Sequence, residues 1–153
     1  MKIAIISGYF NPLHVGHLDY MEAAKNLADK LIVIINNEHQ VTIKGSTPFM
    51  SEEDRIRIVS ALRCVDKVVL SRDKDSSVLK TLKHIVIQNQ GSGRNHFIFC
   101  NGGDRQIDQN NIFEFKVCQE LEIPMVDGLG DKIRSSSEYT GLVEYEEPNA
   151  FRR

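Results

Sequence analysis

The chain has 153 residues, of which 41% are hydrophobic and 26% are charged, and its formal net charge at pH 7 is −2. This size and composition are typical of one soluble globular domain with a full-sized core. The small negative charge excludes a general basic surface for nucleic acid, so any phosphate binding has to be local. Every apolar run falls short of the roughly 18 residues that a membrane span needs, and we expect no signal peptide and no membrane partner.

The cysteines bear on the compartment in which the protein works. There are three of them, far apart in sequence: Cys64, Cys100 and Cys118. An odd number of widely spaced cysteines does not match the disulfide framework of a small secreted domain. We therefore expect reduced, mostly buried thiols and a cytoplasmic location.

The first predicted strand and the first predicted helix enclose an unusual string. An apolar run at 3–6 predicts a buried parallel strand, and an amphipathic segment at 18–28 predicts a helix. Between them stands Gly8-Tyr9-Phe10-Asn11-Pro12-Leu13-His14-Val15-Gly16-His17. A helix N-terminus attracts anions, histidines can donate to the same anion, and glycine allows a ligand close to the backbone. The histidines could instead only cap and pack, but their place between strand and helix favours an anion site.

This string resembles the H-x-G-H signature of the nucleotidyltransferase superfamily, which includes cytidylyltransferases and several adenylyltransferases. Those enzymes transfer a nucleotidyl group from a nucleoside triphosphate to a phosphorylated acceptor and release pyrophosphate. The resemblance implies catalytic and nucleotide-binding roles within the string: catalysis by His14 and His17, and nucleotide binding by Gly8, Tyr9, Phe10 and Gly16. Asn11 stands where many cytidylyltransferases carry Asp, which leaves the branch of the superfamily open.

The next segment contains a candidate phosphate-binding lysine. An apolar run at 31–35 predicts a second strand that ends at a turn of two asparagines. The stretch 38–50 lacks periodicity and contains a glycine and a proline, so it is predicted to be a loop, and long loops are often functional. This loop carries Lys44, which either reaches a phosphate or is a solvated surface lysine.

The following helix carries two arginines. Ser51 and the acidic residues after it predict a capped helix start, and Ile56, Val59 and Leu62, with Ile58 alongside, predict its buried side. Arg55 and Arg63 are eight positions apart and are predicted to share roughly one face, where they are either solvated or clamp phosphates. The segment resembles the glycerol-phosphate cytidylyltransferase branch, with Arg63 in the last turn, and this resemblance implies that both arginines belong to the active site.

The middle of the chain predicts a strand at 68–70, a helix to about residue 87 capped by Ser76 or Ser77, and a strand at 96–100. A Gly-Gly-Asp stretch follows this fourth strand, which implies tight turning or a ligand close to the backbone. Because ligands of open α/β sheets bind at the carboxyl ends of strands, this loop and the histidine string are expected to meet. The stretch resembles an element of heptose-phosphate and glycerol-phosphate nucleotidyltransferases, which implies nucleotide contacts from Gly103 and Asp104; as a turn or cap, Asp104 would be structural.

The last elements are a helix from 110 or 111 to 121 and a strand at 123–126, whose Pro124 predicts an edge position. Three serines then follow two cations at a predicted helix start. They resemble the C-terminal Ile-Ser-Ser-Ser signature of the superfamily, which binds the triphosphate, although Arg134 replaces the usual Ile. The implied nucleotide-binding residues are Lys132, Arg134, Ser135, Ser136 and Ser137, with Lys132 and Arg134 as alternatives for the phosphate-binding cation.

The sequence therefore predicts an α/β protein with a single Rossmann-like, doubly wound parallel sheet of about five strands. Helices cover both faces, and the superfamily resemblance implies strand order 3-2-1-4-5. The resemblance implies a nucleotidyltransferase domain at residues 1–143, and 144–153 are expected to be a polar tail. We expect transfer of a nucleoside monophosphate, with CMP favoured, to a small phosphorylated polyol or sugar. Mg²⁺ is expected to arrive with the triphosphate, since no carboxylate cluster forms a dedicated site. The superfamily resemblance also implies a homodimer.

Three alternatives remain at this point. An adenylyltransferase would use ATP on a sugar phosphate, as in the heptose-phosphate branch. A non-catalytic module would bind a triphosphate without turnover. A metal site on His14 and His17 would need a third ligand, and none has matching spacing.

Overall fold

A computed structural model describes residues 1–102 and 112–129 of the chain. Strands and helices alternate along it, as the sequence predicts. The strands are β1 (Lys2–Gly8), β2 (Lys30–Ile35), β3 (Lys67–Leu70), β4 (His96–Gly102) and β5 (Met125–Leu129). The helices are α1 (Val15–Asn26), α2 (Glu38–Ile43), α3 (Glu52–Ser60), α4 (Leu79–Gln88) and α5 (Ile112–Glu120).

The strands form one parallel sheet with the order β3-β2-β1-β4-β5, which confirms the predicted fold and topology. β1 lies at the centre, where Ile5 pairs with Ile32 of β2 on one side and with Phe99 of β4 on the other. Pro124 immediately precedes β5, which is an edge strand as predicted, since proline cannot donate to a neighbouring strand. The strand order reverses between β1 and β4, and this is where open α/β sheets bind ligands.

Two apolar cores cover the two faces of the sheet. Ile3 and Ile5 point to the face that packs against α4 and α5, whereas Ala4 and Ile6 point to the face that packs against α1 and α3. Because both faces are covered, the central strands carry runs of consecutive apolar residues, such as 3–6 in β1 and 31–35 in β2, instead of alternating with polar residues. The result is the doubly wound arrangement that the sequence predicts.

The prediction of a loop over 38–50 is wrong for its first part, because α2 occupies Glu38–Ile43. The side chain of Asn37 accepts a hydrogen bond from the backbone N–H of Gln40, and the side chain of Gln40 accepts one from the N–H of Asn37. This reciprocal capping satisfies two donors at the helix start and stabilises a helix too short to show apolar periodicity.

The cap of α4 also differs from the prediction, since neither Ser76 nor Ser77 supplies it. Asp73, which lies in the loop before the helix, caps it instead. Its carboxylate accepts hydrogen bonds from the backbone N–H groups of Lys80 and Thr81 and from the Thr81 hydroxyl. Ser77 instead donates through its hydroxyl and its N–H to Asp75. These hydrogen bonds lower the pKa of the Asp75 carboxyl.

The cysteines of the described residues are free thiols. Cys100 and Cys118 are buried and Cys64 is half-buried. Burial raises the pKa of Cys100 to about 12 and also raises that of Cys64, so both stay protonated at neutral pH. No helix in the described part of the chain is long and apolar enough to cross a membrane.

Candidate active site

The string between β1 and α1 begins with a tightly packed turn. Phe10 has a φ of 50°, which is unusual for a bulky residue, and only 2% of its surface is exposed. Its ring lies so close to Gly8 that a Cβ at position 8 would come within 2.5 Å of the ring. Gly8 is therefore required for the packing of Phe10, and Phe10 lies beneath the turn.

The two histidines form the N-terminal cap of α1. Gly16 donates its N–H to Nδ1 of His14 at 3.1 Å, and His14 donates its own N–H to Nδ1 of His17 at 3.2 Å. The rings are stacked with their centroids 3.8 Å apart, and Phe10 meets the His17 ring edge-on at 5.0 Å. Since each Nδ1 accepts a backbone hydrogen, a neutral ring carries its proton on Nε2 and is a donor there. Two imidazole donors are thus fixed at the positive end of a helix, as an anion site requires.

Lys44 lies next to this string in space. It is the C-terminal cap of α2, and its Nζ is 4.2 Å from the centre of the Tyr9 ring. At that distance the ammonium is attracted to the face of the aromatic ring. The structure therefore brings the predicted lysine to the signature string, although Lys44 and Tyr9 are 35 positions apart in sequence.

Asn11 connects the signature string to the segment that follows Lys44. Its Nδ2 donates to the Thr47 carbonyl at 2.8 Å, and its Oδ1 accepts from the N–H of Phe49 at 2.8 Å and of Met50 at 3.2 Å. The sequence singled this residue out only as a departure from the cytidylyltransferase pattern. Its contacts could not be predicted because they join residues far apart in the chain.

Arg55 lies beneath the string, with 1% of its surface exposed. Its Nη1 donates to the carbonyls of Tyr9 at 2.8 Å and of Asn36 at 2.7 Å, so it ties the turn after β1 to the end of β2. Within residues 1–102 and 112–129, its Nε and Nη2 have no hydrogen-bond partner. Burial lowers the pKa of Arg55, and the nearby charges of Glu52 and Glu38 partly oppose this.

Arg63 occupies a different environment from Arg55. α3 ends at Ser60, because the Ala61 N–H bonds to the carbonyls of Ile58 and Val59 and closes the last turn tightly. Arg63 lies beyond that end and is exposed, so the predictions of a last-turn position and of a shared helical face are wrong. Ile58 is also exposed, whereas Val59 is buried as predicted. The catalytic role of Arg63 stays a prediction.

The carboxyl end of β4 lies against the helix that begins with the histidines. The Tyr20 hydroxyl of α1 donates to the Cys100 carbonyl at 2.5 Å, across the point where the strand order reverses. The remaining predicted nucleotide-binding residues lie outside the described residues: Gly103, Asp104, Lys132, Arg134, Ser135, Ser136 and Ser137. The boundary between domain and tail at 143 and 144 lies outside them as well.

The described residues contain no group of three or more His, Cys, Asp or Glu side chains that could hold a metal ion. The Nδ1 atoms of His14 and His17 are also engaged with backbone N–H groups. Mg²⁺ prefers oxygen ligands, so these two imidazoles do not match it, and the arrival of Mg²⁺ with a triphosphate stays a prediction.

Comparison with known proteins adds to this geometry. A family model described as cytidylyltransferase-like matches residues 5–120 of the chain. A FAD synthase from Methanopyrus kandleri is 38% identical over 90 residues, which are 56% of this chain and 60% of that protein. The bifunctional protein HldE from Methylobacillus flagellatus is 40% identical over 79 residues, which are 50% of this chain and 16% of that protein. The chain thus spans less than two thirds of these curated relatives.

Solved structures share the fold. The crystal structure of a lipopolysaccharide core biosynthesis protein from Thermoplasma volcanium superposes with a TM-score of 0.65 at 24% identity. The superposition covers 85% of this chain and 98% of that one. The likeness extends over nearly the whole of that protein.

Proposed function

Because the chain belongs to the cytidylyltransferase-like family, whose model covers residues 5–120, we propose that it is a nucleotidyltransferase. It transfers a nucleoside monophosphate from a nucleoside triphosphate to a small phosphorylated acceptor and releases pyrophosphate. The observation that carries this proposal is the stacked pair His14 and His17, whose Nδ1 atoms are held by the backbone at the start of α1.

The reaction is a single in-line displacement. An acceptor phosphate oxygen attacks the α-phosphorus, the bond from that phosphorus to the bridging oxygen breaks, and pyrophosphate leaves with the electron pair. No covalent enzyme intermediate is needed, because the acceptor phosphate is already an anionic nucleophile. Catalysis then consists of positioning and of stabilising the charge that moves toward the leaving group.

The residues divide this work between them. His14 and His17 donate from Nε2 to the phosphates, and Lys44 exchanges its contact with Tyr9 for the leaving pyrophosphate. Arg55 holds the turn after β1 in place, its Nε and Nη2 are proposed as donors to phosphate or acceptor, and Arg63 is proposed to assist it. The serines at 135–137 are proposed to bind the β- and γ-phosphates, with Mg²⁺ bound to the triphosphate.

Two nucleotides fit this scheme, and each has support. The description of the family favours CTP. The FAD synthase relative is named for a product that contains an adenylyl group, and this favours ATP. We propose a phosphorylated polyol, sugar or flavin as acceptor, and we retain the homodimer and the cytoplasmic location as proposals from the family resemblance.

The test is pyrophosphate release, with each of the four nucleoside triphosphates crossed against phosphorylated polyols, sugars, amino alcohols and flavin mononucleotide, in the presence of Mg²⁺. One pair should respond, and His17→Ala should lower its turnover by about 100- to 1,000-fold, the usual effect of removing a transition-state donor. His96→Ala is the matched control, because His96 is exposed at the amino end of β4, away from the carboxyl ends of the strands.

The other outcomes are equally informative. A His17→Ala variant that keeps more than about a tenth of the wild-type turnover would contradict the role of the histidines. Tight triphosphate binding without release across the panel would favour the non-catalytic module. A protein that binds no triphosphate would not be a nucleotidyltransferase.

A further inference from the structure

Asn11 makes three hydrogen bonds to a segment that follows Lys44. Its amide nitrogen donates to the carbonyl of Thr47, and its amide oxygen accepts from the N–H groups of Phe49 and Met50. We propose that Asn11 is a positioning residue that holds the segment 45–50, and with it Lys44, against the signature string. This inference rests on the proposed function, in which Lys44 neutralises the leaving pyrophosphate.

The geometry requires an amide at position 11. The nitrogen side faces a carbonyl oxygen at 2.8 Å, while the oxygen side faces two N–H donors. An aspartate keeps the two accepted bonds but places a charged oxygen against the Thr47 carbonyl, where nothing can be donated. Asn11, which stands where many cytidylyltransferases carry Asp, therefore matches the Thr47 carbonyl that it faces in this chain.

Few residues separate Lys44 from the first hydrogen-bond partner of Asn11. Lys44 is the C-terminal cap of α2, Gly45 turns the chain with a φ of 81°, and the Ser46 N–H bonds back to the Val41 carbonyl. Thr47, the first partner of Asn11, is only three residues beyond Lys44. The Tyr9 ring contacts Lys44 at one side, and Asn11 fixes the segment two residues further along the same string. A change at Asn11 is thus transmitted over a short, constrained path to the ammonium.

A double-mutant cycle tests this coupling. Asn11→Asp should lower kcat/KM for the triphosphate about tenfold or more in the wild-type background and less than about threefold in Lys44→Ala, since the lysine is then already absent. The matched control is Asn95→Asp, which removes a similar amide-to-carbonyl bond (2.6 Å, to Asn89) just before β4. It should change kcat/KM by less than about twofold. An equal loss from Asn11→Asp in both backgrounds would overturn the proposal.

A second measurement needs no turnover. Hydrogen exchange of the Phe49 and Met50 amides should become about tenfold faster in Asn11→Ala, because their acceptor is removed, and should be unchanged in Asn95→Ala. Unchanged exchange at both amides would overturn the proposal even in an active enzyme.

Failure of the proposed function would look different. If exchange accelerates as expected but no triphosphate and acceptor react, the nucleotidyltransferase assignment fails while Asn11 still holds the segment. The coupling to Lys44 is then read from the dissociation constant of CTP or ATP with Mg²⁺ in the same four variants. Additive effects on that constant would overturn the role of Asn11 in positioning Lys44.

Discussion

At the scale of the single residue, the sequence reveals residues that stand in a regular pattern, but not contacts between residues that are far apart in the chain. His14 and His17 could be selected because they stand three positions apart at a predicted helix start. The environment of Arg55 could not, because its guanidinium bonds to carbonyls 46 and 19 positions away in the chain. Its nearly complete burial was equally hidden, since a charged residue in a polar helix is usually exposed.

Arg55→Ala should therefore destabilise the protein strongly. Removing the guanidinium takes the Arg55 donor away from the half-buried Tyr9 carbonyl and from the buried Asn36 carbonyl, and each unsatisfied group costs roughly 1–3 kcal/mol. We expect the free energy of unfolding, measured by urea denaturation, to fall by about 3 kcal/mol.

Arg57→Ala is the matched control, because it removes an exposed arginine from the same helix. Its effect should stay within about 0.5 kcal/mol. Equal stabilities of the two variants would mean that the guanidinium of Arg55 does not support the turn after β1.

At the scale of the element, α2 shows where periodicity is uninformative. The helix has 6 residues, too few for an apolar stripe, and it is held by buried polar contacts. Gln40 is fully buried, and its amide nitrogen donates to the carbonyls of Asp75 at 2.8 Å and Ser77 at 2.7 Å. The two asparagines at 36 and 37 predict only a turn, and the carbonyls that Gln40 binds come from the loop after β3.

Gln40→Leu should break this connection while preserving approximate volume. The substitution leaves the carbonyls of Asp75 and Ser77 without a donor and the Asn37 N–H without an acceptor, so we expect a loss of about 3 kcal/mol in the free energy of unfolding. Because Lys44 is the C-terminal cap of α2, the KM for the triphosphate should rise as well.

The control is His39→Leu at the adjacent exposed position, which should change stability by no more than about 0.5 kcal/mol. If the two leucine variants unfolded at the same urea concentration, the polar contacts of α2 would contribute little.

At the scale of the whole molecule, the alternation of apolar runs and helical segments was sufficient to predict a parallel, doubly wound sheet. The superfamily resemblance supplied the strand order, and both agree with the structure. The contacts that connect elements at their ends were beyond prediction, since they depend on the final positions of side chains. Asp66 is such a contact: it bonds to Lys25 of α1 and to the N–H of Leu31 in β2.

Asp66 gives the stability of the molecule a pH dependence. Burial alone would raise the pKa of its carboxyl, but the hydrogen bonds from Lys25 and Leu31 outweigh burial, and the pKa is lowered. A carboxyl with a lowered pKa stabilises the folded state above its unfolded pKa of about 3.9, and this contribution is lost as the pH falls through the folded pKa. Asp66→Asn should thus lose about 1 kcal/mol at pH 7, with allowance for the partial exposure of the pair.

Thermal unfolding of wild type and Asp66→Asn between pH 7 and pH 2.5 checks this expectation. The difference in Tm should be largest at neutral pH and should narrow below about pH 4. Lys25→Met, which keeps the Leu31 bond, should show a smaller difference of the same sign. A Tm difference that stays constant between pH 7 and pH 2.5 would contradict the lowered pKa of Asp66 as the cause of the pH dependence.

The contact between Lys44 and Tyr9 also has an optical consequence. The chain has no tryptophan and 4 tyrosines, so the fluorescence excited in the tyrosine absorption band comes from tyrosine alone. One of these fluorophores, Tyr9, lies against the ammonium that is proposed to bind pyrophosphate. An anion that draws the ammonium off the ring changes the emission of Tyr9. Inorganic pyrophosphate does not absorb where tyrosine is excited, so it can be titrated directly against the native chain, with Tyr9→Phe as the silent reference.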